Sequence, residues 1–130
     1  MTAISGELLA GVRKMRVAVP AKDFALSRRF YETVGFETTT VAPNLVEVRL
    51  GPHMFFLQDY YQEDWAGNFV FHLNVDDSEA WWTHIEPLKL HETFGVRPPL
   101  APKVMPWGLK VVHLFDPAGV MWMIASVPVQ

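Results

Sequence analysis

One pattern is written twice along this chain, and that duplication restricts the fold more than any other feature. In the first copy Val17-Ala18-Val19-Pro20-Ala21-Lys22-Asp23 runs into Phe24 to Val34 and then Gly35. In the second, Phe71-His72-Leu73-Asn74-Val75-Asp76-Asp77 runs into Ser78 to Leu88. Each copy is a short apolar strand ending in Asp, followed by a helix and then by further strands. The second copy closes on Pro106-Trp107-Gly108, a strand-like run, and the turn Asp116-Pro117-Ala118-Gly119. Asp23 and Asp77 are separated by the length of a supersecondary unit, too long for a solenoid repeat. Two such units bury their sheets only against each other or against a partner chain, and a cleft is expected where they meet.

The elements follow from local chemistry. Val12 to Val19 reads as the first strand, with Pro20 ending its ladder because it has no N–H to donate. Asp23 is an N-cap and Gly35 a C′ residue for the helix between them, in which Leu26, Phe30, Tyr31 and Val34 form a buried stripe. Phe36 to Val41, Leu45 to Leu50 and Met54 to Asp59 read as a meander, and Tyr60 to Gly67 as a loop. The register at Gly51-Pro52 is open, so Glu47 and Arg49 face either the cleft or the outside. In Asn68 to Val75 the apolar set Phe69, Phe71, Leu73 and Val75 alternates with a set containing His72 and Asn74, which places the two polar residues on the opposite face. Ser78 to Leu90 reads as the second helix, shortened or kinked by Pro87. Of the adjacent Trp81 and Trp82, a helix can bury one. The other belongs at a partner contact or the cleft rim. The proline-rich stretch Pro98 to Pro102 is irregular with a short edge strand nearby. Leu109 to Phe115 and Val120 to Val127 form a hairpin that sets His113 opposite Met123.

The fold class is therefore α+β. The chain reads as a single domain of two βαβββ modules, about residues 12–60 and 68–127, whose curved mixed sheet surrounds a cleft.

Composition removes several functions. Half of the 130 residues are apolar and 19% are charged, which argues against disorder. The net charge is −3, and basic residues gather only in Arg13-Lys14-Met15-Arg16, so nothing points to nucleic acid. Without cysteine there is no disulfide framework and no thiolate chemistry. Met1 to Val12 lacks the basic start of a secretory leader, and no apolar run reaches the roughly 18 residues that span a membrane. The expectation is a cytoplasmic protein with no membrane partner.

The arrangement resembles the vicinal oxygen chelate superfamily, which includes glyoxalase I, extradiol dioxygenases, fosfomycin-resistance enzymes and bleomycin-resistance proteins. The carriers are Ser27 to Phe36 (SRRFYETVGF), Asp76-Asp77 before the second helix, and the DPAG turn. The Pro-Trp-Gly element is most similar to the bleomycin-resistance branch. For the metal-dependent members, the resemblance implies ligands seven residues before each helix-capping Asp, four residues after the Gly of the closing turn, and near Gln58. Those places hold Arg16, Val70 and Met123. Arg is permanently protonated, Val has no donor atom, and a thioether suits soft Cu(I) better than hard or borderline ions. The inherited metal site is expected to be absent, and no cofactor is expected.

Two histidines remain. His72 lies two residues beyond the Val70 place on the same face. His113 lies three residues before Asp116, where the dioxygenases carry a catalytic tyrosine. Both are expected to look into the cleft, as polar groups of a ligand pocket or as the nucleus of a relocated metal site with Gln58 or Glu47. His84 and His91 are expected to be exposed. Tyr60, Trp65 and Trp107 sit on loops from which their rings can sandwich a planar ligand.

The leading reading is a metal-free small-molecule-binding protein, by resemblance a homodimer that sequesters an aromatic compound or antibiotic. Its ligand site comprises Arg16, Gln58, Tyr60 and Trp65 from the first half and His72, Trp107, His113 and Met123 from the second. The alternative is a glyoxalase-like lyase or isomerase, or a dioxygenase, with a relocated metal or a histidine general base.

Overall fold

The computed structural model of the protein describes residues 3–128. Strand β1 (Ala18–Pro20) is followed by helix α2 (Phe24–Val34), and a short helix, α1 (Gly6–Ala10), precedes both. The Asp23 carboxylate accepts the Leu26 amide and Gly35 ends α2 at φ 121°, so both caps stand where the sequence places them. The buried stripe of α2 is Ser27, Phe30, Tyr31 and Val34. Leu26, expected in that stripe, is only half-buried, and Ser27 is buried in the stripe instead.

The first strand is shorter than expected. Residues Val12 to Val17 lie outside it, and no residue of α1 is buried. Strands β2 (Glu37–Ala42), β3 (Leu45–Leu50) and β4 (His53–Gln58) form the meander. Leu50 pairs with His53 across Gly51-Pro52, and Gly51 supplies the positive φ of 58° that a two-residue hairpin needs. This resolves the open register: Glu47 lies opposite Phe56 and Arg49 opposite Met54. The stretch expected to be a loop contains helix α3 (Glu63–Asn68), whose first turn carries Glu63 and Asp64 at the positive end of the helix dipole.

The second module opens with β5 (Val70–Asn74) and α4 (Ser78–Ile85), capped by Asp77. Pro87 ends the α-helix, and the chain continues as a 3-10 turn, Glu86–Leu88. Lys89 then turns left-handed at φ 50° before α5 (Leu90–Phe94). The helix expected to run to Leu90 is thus two short pieces. Strands β6 (Leu100–Val104), β7 (Lys110–Phe115) and β8 (Met121–Ser126) complete the chain.

Both sheets have the same order. The first is β1-β4-β3-β2 and the second β5-β8-β7-β6, and in each the first and last strands of the module pair in parallel. Their inner faces share one core, where Phe55 meets Phe71 at 4.9 Å between ring centroids and Phe71 stacks on Trp122 at 4.0 Å. Trp81 and Trp82 are both half-buried against this core, so neither is given up wholly to the surface as expected. His84 is exposed as expected, and it also donates from Nε2 to the Val34 carbonyl at 2.5 Å, which satisfies the end of α2 from the other module. No helix among the described residues is long and apolar enough to cross a membrane.

Candidate functional site

Alternation along each strand gives each sheet a second, outer face. In the first sheet Val46, Val48, Phe55 and Leu57 point into the core, so Leu45, Glu47, Arg49, Phe56 and Gln58 point outward. This outer face is charged. Glu47 binds Arg16 at 2.7 Å and Arg49 at 3.2 Å, and Arg49 also reaches Glu37 at 3.1 Å. The Arg16 guanidinium lies 5.1 Å from the Phe56 ring centroid. Burial alone would raise the Glu47 carboxyl, but hydrogen bonds from Arg49 and Arg16 outweigh it and hold the group below its ordinary range. Gln58 shares this face two residues further along β4, in a row with Leu45 and Pro20.

The second sheet differs. Val112, Leu114, Trp122 and Ile124 point into the core, and the outer face is built on Val111, Met123 and Ala125. Met105, Leu109 and Met121 pack against those three, a contribution that residue-by-residue reading missed because none of them carries a polar group. Met105 and Leu109 flank the loop between β6 and β7, closed by hydrogen bonds from the Met105 amide to the Leu109 carbonyl and from the Gly108 amide to the Met105 carbonyl. Trp107 sits at the tip of that loop, 56% exposed.

Strand pairing places His72 beside Met123, and Met123 beside His113, in one row across β5, β8 and β7. His72 is exposed, His113 half-buried and Met123 buried. Among the described residues neither imidazole makes a protein hydrogen bond. Burial pushes the His113 pKa below its ordinary value, and the charges of Arg97 and Lys103 push the same way, disfavouring the charged ring. No three His, Asp or Glu side chains converge among the described residues.

Of the residues singled out from the sequence, His72, Met123 and His113 come together in this row, while Trp107 sits on the loop between β6 and β7. Arg16 and Gln58 lie on the other sheet, and among the described residues no hydrogen bond or ion pair joins them to that group. Tyr60 and Trp65 form a third cluster, with ring centroids 6.1 Å apart. Trp65 continues to Phe69 at 6.1 Å and Phe69 to Phe71 at 5.3 Å, which leads toward the core. A separate hollow of about 350 Å³ lies between the modules, walled by Gly35, Phe36, Leu50, Trp81 and His84.

Two βαβββ units of identical strand order, with helices over a shared core and an open outer face on each sheet, define the α+β fold of the glyoxalase/bleomycin-resistance proteins. Solved structures bear this out. A bleomycin-binding protein complexed with bleomycin superposes with a TM-score of 0.74 at 22% identity, covering 90% of this chain and 100% of that one. An antibiotic-binding protein of a Streptomyces species gives 0.69 at 23%, covering 90% and 98%. A lactoylglutathione lyase from Agrobacterium tumefaciens gives 0.62 at 23%, covering 88% and 92%. No family model matches the sequence, and no curated protein matches it. The likeness is one of fold.

Proposed function

We propose that the protein binds a small molecule bearing a planar or aromatic group, in the manner of the bleomycin-resistance proteins, and that it does so as a homodimer. The observation that carries this reading is the outer face of the second sheet. Met123, Val111 and Ala125 give a soft apolar floor, His72 and His113 bring polar atoms to it, and Trp107 stands exposed at the tip of the closed loop that leads into β7. An apolar surface with a few convergent polar groups is the usual make-up of a small-molecule site. The complexes of similarly folded proteins with bleomycin agree with it.

In a dimer, the charged outer face of one copy's first sheet would close over the apolar face of the other copy's second sheet. Arg16 and Gln58 would then complete the site from across the interface. The exposed apolar side chains before β1, including Leu8, Leu9, Val12 and Met15, support association. The enzyme alternative has less support, because Arg16, Val70 and Met123 stand where the resemblance implies metal ligands.

The test is a screen of planar and aromatic compounds by tryptophan fluorescence, repeated with Trp107→Ala and His113→Ala. Each substitution is expected to weaken the compounds that bind, by about 1–3 kcal/mol for the lost stacking ring. Unchanged binding in both variants would put the site elsewhere.

A further inference from the structure

We propose that His72, Met123 and His113 form a binding site for a soft monovalent metal ion, copper(I). The three residues occupy adjacent positions in a single row, with the thioether on the central strand and an imidazole on either side. Side chains paired in this way stand about 5 Å apart from strand to strand and on the same face. One ion above Met123 is therefore within reach of a nitrogen from each neighbour. Neither imidazole is committed to a protein hydrogen bond among the described residues, so both rings are free to turn a nitrogen inward.

The donor set selects the ion. Two imidazoles and a thioether are soft to borderline ligands, and thioether sulfur favours Cu(I) over zinc or the hard divalent ions. Among the described residues no carboxylate side chain lies in these strand rows. The rows on either side carry Val70, Met121 and Phe115, and Asn74, Ala125 and Val111, with Lys103 beside Val111. Arg97 covers the Phe115 ring at 4.1 Å. Those nearby cations penalise a divalent ion more than a monovalent one, since the repulsion scales with charge. Met121 and Met105 pack against the cluster that contains Met123, so the sulfur lies in an apolar wall.

This site does not depend on the organic-ligand reading. The experiment is an anaerobic titration of the metal-free protein with Cu(I) held by bicinchoninate, followed in parallel by the methyl signals of [13C-methyl]methionine-labelled protein. One equivalent per chain should leave the chromophoric chelator, and the Met123 methyl signal, assigned through Met123→Leu, should move as it does. Met123→Leu and His113→Ala should each weaken binding by more than about tenfold, the scale on which even supporting groups of metal sites act. His91→Ala, on helix α5 and outside both sheets, should bind as the parent does. Leu for Met conserves volume and keeps the fold. No competition by the parent protein, no movement of the Met123 methyl signal, or undiminished binding by Met123→Leu overturns the proposal. Compounds that bind in metal-free buffer would still stand as evidence for the organic ligand, so the two readings fail separately.

Discussion

The hydroxyl of Tyr31 donates to Asp116 at 2.6 Å across a separation of 85 residues, joining the first helix of one module to the closing turn of the other. The same hydroxyl accepts Trp122 Nε1–H at 3.1 Å, while Asp116 also accepts the amides of Ala118 at 2.8 Å and Val120 at 2.9 Å. The turn that closes the second copy is thus also the clasp between the copies. Tyr31→Phe leaves an indole N–H and one carboxylate oxygen without their partner in a fully buried setting. It should cost about 1–3 kcal/mol in urea unfolding. A loss below about 0.5 kcal/mol would show that the clasp contributes nothing net.

The same carboxyl makes stability depend on pH. Burial raises Asp116 to about 6, against hydrogen bonds from Tyr31 and from the backbone of Val120, Ala118 and Gly119 that pull it down. An acid with a raised folded pKa binds its proton more tightly in the folded state. Its stabilising contribution is complete below the unfolded pKa near 3.8 and lost as pH rises through about 6. Asn at this position cannot titrate. The stability of the parent relative to Asp116→Asn should therefore rise by up to about 3 kcal/mol as pH falls from about 7 to about 4. Taking the difference removes Glu47, whose depressed pKa acts the other way below about pH 4.5. A flat difference between the two pH profiles would place the Asp116 pKa near its unfolded value.

Much of the fold was legible because its signals are local. Asp23, Gly35 and Asp77 act within one turn of where they stand, and the alternation in Phe69 to Val75 fixes which face His72 takes. The pairing of His113 with Met123 followed from the length of the Asp116 to Gly119 turn. What was not legible depends on distant partners. His84 is the exposed helix residue that its place suggests, but its hydrogen bond to the Val34 carbonyl appears only once the end of α2 is brought to it. Glu47 could not be oriented without the turn geometry at Gly51-Pro52. Helix α3 was missed because six residues are too few for a hydrophobic period to emerge.

The outer-face chemistry predicts which metals the protein ignores. Arg16, Val70 and Met123 occupy the places of the inherited ligands, and Arg16 is already paired with Glu47. Protein purified without chelators should carry no stoichiometric Zn, Ni, Fe or Mn by elemental analysis. About one such metal per chain, lost on His72→Ala, would instead favour the enzyme reading.

Trp107 separates binding from folding. Its ring is 56% exposed at the tip of a loop whose closure is made by backbone hydrogen bonds. Trp107→Ala should leave unfolding stability within about 0.5 kcal/mol of the parent, as exposed substitutions do. A much larger loss would make Trp107 a core residue and remove it from the ligand site.

The segment before β1 gives the last prediction. Ile4, Leu8, Leu9, Val12 and Met15 are each more than half exposed, and Met15 reaches 85%. No residue of α1 is buried, although the helix is capped by Ser5, and its Leu8 and Leu9 face solvent rather than the core. Each large aliphatic side chain left in water forgoes roughly 1.5–3 kcal/mol of burial. On the proposed dimer reading, a second copy would offer this arm the surface that its own chain does not. Deleting residues 1–15 should therefore leave the sheets and the Tyr31–Asp116 clasp intact, because all of those residues lie downstream, while weakening self-association. Sedimentation velocity at micromolar concentration should show a dimer for the full chain and a shift toward monomer for the truncated one, with thermal unfolding still cooperative. A full chain that sediments as a monomer contradicts the dimer itself. A truncated chain that remains fully dimeric assigns the interface to the sheet faces instead of the arm.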